Sequence, residues 1–276
     1  MLNLRIVTGW CVCAWLSAAA SVAAARPSCG VAFYDVDCLY DTLPSPFRND
    51  LRYLPQGDLR WTSQRYCDKI ERIAAVIDSL SLPLVGLYGV ENETVVRDLA
   101  AACTEDYVYE FRTTDSYNGL DFALLYHGDR FFPKRVDAGH FWMEVAGELR
   151  GFGPVCLLLS SSDRYIHYKI AEHRQLHPEE RLVVLGRTSG VDSALYGLVE
   201  PLASAQRAGR GTRRVGGKWE MRGNILIDTA FHSFRADVYA RRWLFDAAGS
   251  APWATYTRRR YDGGYGANLP VFCYFR

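Results

Sequence analysis

Short apolar runs of strand length alternate with stretches whose apolar residues recur every three or four positions. Residues 30–36 read as a buried strand that ends in acidic residues. Thr62 and Ser63 are capping residues ahead of Tyr66, Ile70, Ile73, Ala74, Ile77 and Leu80, a spacing that predicts a helix over 62–80. Residues 83–88 form the next strand, and Asn92 caps a helix whose apolar face is Val95, Val96, Leu99 and Cys103. This strand–helix–strand–helix order is an α/β rhythm.

Residues 107–112, 120–126, 131–136 and 141–145 predict successive strands joined as a meander, followed by a buried strand at 155–160. The segment 165–177 is helical and stops at Pro178; 182–186 is a strand, 191–205 a helix, and 225–227 and 269–274 are late strands. Residues 209–217, rich in Gly and Arg, read as a loop.

Residues 6–25 are apolar or small after Arg5 and end in small residues before Arg26, the pattern of a secretory signal peptide covering residues 1–25. The other reading is a retained membrane anchor, for which the Ala-rich and Ser-rich end of the run is a weak composition. Cleavage leaves one domain over 26–276, without a membrane span, in the periplasm or secreted. It also leaves six cysteines, Cys29, Cys38, Cys67, Cys103, Cys156 and Cys273, none in a Cys-x-x-Cys pair. Cys156, inside "PVCLLLS", reads as a buried free thiol.

With 49% apolar and 13% aromatic residues the chain is globular, not disordered or low-complexity. Arg5 is the one charge in the leader, so residues 26–276 balance at 31 basic and 31 acidic groups and give no strong nucleic-acid signal. The balance is uneven: residues 200–276 hold 13 Lys and Arg against six acids. Such a basic third suits an anionic ligand or a protein partner, and equally suits solvated strands and loops without one.

Seven segments in order, "FYDVDCLYDT", "RYCDKIERIAAVI", "PLVGLYGVENETVVRDL", "NGLDFALLY", "LVVLGRTSG", "GTRRVGGKWEM" and "GGYGANLPVF", together resemble the endonuclease/exonuclease/phosphatase superfamily, in particular its exported bacterial branch. The resemblance implies a four-layer α/β/β/α sandwich, two mixed β-sheets flanked by helices, with the active site at one rim. Its chemistry needs a carboxylate-bound divalent cation, a base for the attacking water and groups that stabilise the charged transition state.

Matched onto this chain, those positions are degenerate. Asp35 stands where the family has Asn; Gly89 stands at the metal-binding Glu; Ser160 and Ser161 replace an Asn-His pair. The Gly-Asp-x-Asn turn becomes Gly186, Arg187, Thr188 and Ser189, an Asp-Gln pair becomes Gly223-Asn224, and the terminal Ser-Asp-His becomes Gly266, Ala267 and Asn268. The vestigial set Asp35, Gly89, Ser161, Arg187, Ser189, Gly223, Ala267 and Asn268 therefore implies an exported protein that has lost catalysis, acts as a binding or scaffolding module and needs no cofactor.

The alternative is an active divalent-metal-dependent phosphodiesterase, endonuclease or phosphatase with a rebuilt site, using magnesium or manganese at rim residues drawn from Asp35, Glu91, Asn92 and Asp121. A purely structural envelope protein is a third reading. His173 and His177, four apart on a helix near Glu172, Glu179 and Glu180, suit zinc, against the plainer reading of a solvated helix end. The implied fold also sets the first and last strands side by side, with Cys29 and Cys273 at similar depth, and so implies a disulfide between them.

Overall fold

The computed structural model describes residues 28–276 apart from Asp115 and Tyr117. The segment read as a signal peptide lies outside the described residues. No helix among those described is long and apolar enough to cross a membrane.

The elements are β1 (Cys29–Leu39), α1 (Ser63–Leu80), β2 (Leu84–Val90), α2 (Glu93–Ala102), β3 (Tyr107–Arg112), β4 (Asp121–His127), β5 (Phe131–Gly139), β6 (Trp142–Leu149), β7 (Gly153–Ser160), α3 (Ile166–Leu176) and β8 (Arg181–Gly186). The remainder is strand-rich: β9 (Leu198–Val199), α4 (Ala203–Arg207), β10 (Arg213–Val215), β11 (Lys218–Glu220), β12 (Asn224–Asp228), β13 (Ser233–Val238), β14 (Tyr256–Thr257), β15 (Arg260–Tyr261) and β16 (Val271–Phe275). Two six-stranded sheets result, ordered β13-β16-β1-β2-β4-β3 and β5-β6-β7-β8-β12-β9. Each has one parallel pair, β1 with β2 and β7 with β8, among antiparallel neighbours.

The central strands are apolar on both faces because both faces are covered. In β7, Val155, Leu157 and Leu159 point into the core shared with the first sheet, while Cys156 and Leu158 point outward beneath α3 with Ile166 and Ile170. The sheets meet so closely that a Cβ on Gly86 of β2 would lie 2.7 Å from a methyl of Leu185 on β8. Outside the first sheet, α1 buries Ile70, Ile73, Ala74, Val76, Ile77 and Leu80. Local capping places both helices: Thr62 accepts from the Arg65 amide, and the Asn92 side-chain oxygen accepts from the Val95 amide at 3.1 Å. The four-layer sandwich is as the resemblance implied.

Three expectations are corrected. The four strands from 107 onward are not one meander: β3 and β4 belong to the first sheet and β5 and β6 to the second, so the short connection after β4 carries the chain across the sandwich. Residues 191–205 form no continuous helix; they break into a turn of 3-10 helix (Ala194–Tyr196), the edge strand β9 and the start of α4, with Gly197 at φ 65° between the first two. The loop at 209–217 includes half of the β10–β11 hairpin.

The Cys29–Cys273 disulfide does not form, and both cysteines are buried free thiols. Strands β1 and β16 are antiparallel neighbours, but the register sets Cys29 against Phe275 and Cys273 against Val31. Such diagonal neighbours sit about 7–8 Å apart at Cα, beyond the roughly 4.4–6.8 Å a bridge spans. Burial holds the two thiols up at about 11 and about 12. Alkylation of the chain unfolded without reductant is expected to label both; a cross-linked Cys29–Cys273 peptide would contradict this register.

Candidate functional site

The rim is made where β1 and β2 leave regular pairing together. Their parallel register runs to Asp35 opposite Tyr88 and resumes only at Leu39 opposite Val90. In the gap Asp37 and Cys38 take left-handed φ values of 55° and 52°, and Gly89 across from them takes φ 99°. The result is a hollow floored by backbone, in which a Cβ on residue 89 would lie 3.5 Å from Asp35 Oδ1 and 3.3 Å from the Asp37 amide nitrogen.

Local bonds hold this hollow. The Asp37 amide donates to Asp35 Oδ1 at 3.1 Å, and the Ala267 amide donates to Asp37 Oδ2 at 3.2 Å. Asn268 donates from Nδ2 to the Asp35 carbonyl at 3.4 Å, while its buried Oδ1 has no hydrogen-bond partner. Beneath them Lys69, reached from α1 and 1% exposed, donates to Thr255 Oγ1 at 2.6 Å and to the Asp37 carbonyl at 3.4 Å. Burial pulls the Lys69 ammonium below its ordinary value.

Asp35 is the one rim carboxyl whose chemistry this shape controls. Burial pushes it up to about 6 and the neighbouring Asp37 adds to that, while the Asp37 amide bond and the charges of Arg187 and Arg213 draw it back. Among the described residues, the half-buried guanidinium groups of Arg187 and Arg213 make neither hydrogen bond nor ion pair. Their neighbours are committed: Arg210 pairs with Asp237, Arg222 Nε donates to Glu220 at 2.9 Å, and Arg260 Nε donates to Asp262 at 2.7 Å.

Of the degenerate positions, the structure gathers Asp35, Gly89, Ala267 and Asn268 at the rim, with Arg187 acting on Asp35. Ser161 sits beside Tyr88, its amide bonded to the Phe141 carbonyl at 3.0 Å. Gly223 packs on Phe33 and accepts no side chain there, since a Cβ would lie 2.9 Å from the ring. Ser189 is exposed, with its amide donating to Asp163 at 2.8 Å.

The proposed rim partners of Asp35 are used elsewhere. Glu91 accepts from the Asp41 amide at 2.8 Å, and Asn92 caps α2 and donates to Asp41 at 2.9 Å. Asp121 accepts from the amide and hydroxyl of Thr114. The sets Glu144–Cys156–His173 and His177–Glu179–Glu180, both under or beside α3, are the described groups of three or more donors close enough for an ion, and neither includes Asp35, Glu91 or Asp121. A hard divalent cation does not fit the rim. Burial already opposes charge on the one carboxyl that would face it, residue 89 offers no side chain, and two cations stand near.

Two clefts flank the rim. One of about 880 Å³ is lined by Arg213, Trp243, Phe245, Trp253, Tyr265 and Ala267. In it the Trp243 and Tyr265 rings meet edge-on with centroids 4.9 Å apart. The other, of about 550 Å³, is polar and is lined by Arg187, Ser189, Arg210, Trp219 and Arg222. Sequence reasoning missed the role of Arg213, whose only signal was membership of a Gly- and Arg-rich segment that folds into β10. Asp37 was among the acids that the sequence placed near the rim with Asp35, Asp41 and Asp121, but its left-handed backbone was not foreseen.

Two mixed sheets packed face to face with helices outside, and a rim where β1 and β2 part, define an α/β/β/α sandwich. Residues 30–149 match the family model described as Endonuclease/Exonuclease/phosphatase family. Among solved structures, truncated TDP2 from Caenorhabditis elegans superposes with a TM-score of 0.58 at 11% identity, covering 90% of this chain and 97% of that one. An endonuclease/exonuclease/phosphatase family protein from Bacteroides thetaiotaomicron gives 0.57 at 12% identity, over 90% and 98% of the two chains. The mannosyl-6-phosphatase of the same organism gives 0.55 at 12% identity, over 90% and 99%. No curated protein matches the chain by sequence. The likeness to the endonuclease/exonuclease/phosphatase superfamily therefore rests on a family model over residues 30–149 and on a shared fold over 90% of the chain.

Proposed function

We propose that the protein is an exported, non-hydrolytic member of this superfamily, a binding module whose rim takes an anionic ligand bearing a ring. One observation carries the reading: at Asp35 the positive charge comes from Arg187 and Arg213, where the fold's chemistry uses a carboxylate-held cation. A guanidinium binds phosphate or carboxylate through paired donors without activating water. Asn268 takes the place of the general base and accepts no proton from water at neutral pH. The apolar leader at residues 1–25 supports export. The aromatic cleft that begins at Ala267 and Arg213 supplies faces on which a sugar or aryl group stacks beside the anion.

The test uses 4-nitrophenyl phosphate as ligand and as substrate. Saturable quenching of tryptophan emission is expected, from Trp243 and Trp253, with affinity falling about 10–100-fold in Arg213→Ala and Arg187→Ala, as loss of a charge-assisted hydrogen bond implies. Nitrophenolate release with magnesium or manganese is expected to equal the blank. Turnover abolished by chelator and by Asp35→Ala would establish a hydrolase instead; absence of quenching would remove the ligand site.

A further inference from the structure

On the far side of the second sheet from its packed core, Glu144 of β6, Cys156 of β7 and His173 of α3 converge. One ligand-capable atom of each lies within 4.8 Å of the others. All three are buried, and the His173 side chain is fully so. The placement follows from strand alternation: Ala146 faces Cys156 across the β6–β7 ladder and Glu144 is two residues back, on the same face. His173 follows Ile166 and Ile170 on the inward stripe of α3, so the solvated helix end expected of it is corrected.

Both ring nitrogens of His173 lack a hydrogen-bond partner; the nearest carboxylate oxygen, Glu180 Oε2, is 3.7 Å from Nε2. A buried imidazole so placed lacks the hydrogen bonds that buried polar atoms ordinarily keep. The charges around it are otherwise balanced. Arg135 bonds Glu180 at 3.0 and 3.1 Å and lies 3.5 Å from Glu144 Oε1, while Lys169 lies 3.5 Å from Glu144 Oε2 and 2.9 Å from Glu172. Glu144 has no bond shorter than these to give up, and the half-buried His177 ring lies tilted to that of His173 with centroids 5.5 Å apart.

We propose that Cys156, His173 and Glu144 bind a zinc ion between the second sheet and α3, with Glu180 as the nearest further ligand. Thiolate, imidazole and carboxylate together suit a borderline-soft ion of tetrahedral preference and not magnesium or calcium. Metal–ligand bonds of about 2.0–2.3 Å draw the three donors closer than they now stand, which side-chain rotation supplies. As the zinc–sulfur bond forms, the Cys156 S–H bond breaks and its proton leaves to solvent, so one proton is released per zinc bound. The ion has a way in through the cleft of about 410 Å³ lined by His140, Trp142, Tyr165, Tyr168, Lys169 and Glu172, whose Lys169 touches Glu144. This site is remote from Asp35 and tests separately from the binding proposed at the rim.

The full chain, stripped with chelator and titrated with zinc by calorimetry, is expected to bind one ion. Repeating the titration in buffers of different ionisation enthalpy is expected to report one proton released. Cobalt in place of zinc is expected to give a thiolate-to-metal charge-transfer band in the near ultraviolet, absent in Cys156→Ala. Cys156→Ala and His173→Gln are each expected to weaken zinc by more than the roughly 10–100-fold that loss of an outer supporting group costs. Should His173→Gln fail to fold, Cys156→Ala, a small truncation, and the cobalt band decide alone. No zinc bound, or zinc bound equally by wild type and Cys156→Ala, overturns the proposal; the latter places the ion at His177, Glu179 and Glu180.

Discussion

Asp35→Asn is expected to stabilise the protein by about 3 kcal/mol at pH 7.5 and by under about 1 kcal/mol at pH 4. The folded carboxyl is raised to about 6 from an ordinary 3.8, so folding favours its protonated form. Stability from that form is complete below the unfolded value and is lost as pH rises through 6. Asparagine is neutral at every pH and keeps an Oδ1 to accept from the Asp37 amide, so the variant escapes the loss without breaking the bond that shapes the hollow. Glu91, raised to about 7 by burial, weakens both proteins in the same direction, and the difference between them isolates Asp35. Urea unfolding at pH 4, 5, 6 and 7.5 reads it. A variant less stable than wild type at pH 7.5 would mean that attraction to Arg187 and Arg213 outweighs desolvation.

Gly89→Glu, which returns the family's metal-binding residue to its position, is expected to destabilise the protein by roughly 3 kcal/mol and to yield no phosphoesterase. A side chain at φ 99° costs about 1–3 kcal/mol in backbone strain. Its Cβ also presses on the Asp37 amide at 3.3 Å and sets a second carboxylate beside Asp35, whose proton affinity shows that charge is already unwelcome there. For a domain of this size the fall amounts to roughly 6–12 °C in unfolding midpoint. Differential scanning calorimetry with and without magnesium checks the stability, and nitrophenolate release checks the chemistry. Chelator-sensitive turnover in the variant would show that one ligand alone separates this chain from hydrolysis, and would undo the reading of Arg187 as a replacement for metal charge.

Both results bear on the proposed reading of the rim as a binding site. The scaffold around it is retained in detail: Trp61 donates to the Tyr40 carbonyl at 2.8 Å, and Asp41, Glu91 and Asn92 tie the β1 loop to the start of α2. Selection for the fold and selection for the chemistry act on different residues, so one set can change while the other stays.

The same division separates what could be read from the chain from what could not. Elements whose cause is local were legible: β3 spans the residues its pattern predicts, α1 and α2 begin at Thr62 and Asn92 because those side chains satisfy free amides, and α3 differs by one residue at each end. That Gly89 and Asn268 offer neither a carboxylate nor an imidazole was also legible, since it rests on residue type and not on position in space. Partnership between distant segments was not. Four strands in a row cannot announce which sheet each joins, because the crossing after β4 is decided by packing across the sandwich. Cys29 and Cys273 lie on neighbouring strands two positions out of register, a difference invisible to counting from the rim. Arg213 comes within reach of the Asp35 charge, and His173 turns inward to Cys156 and Glu144, only because β10 and α3 dock where the sheets leave apolar surface to cover; contacts between residues far apart in the chain are set by that burial, which no local pattern encodes.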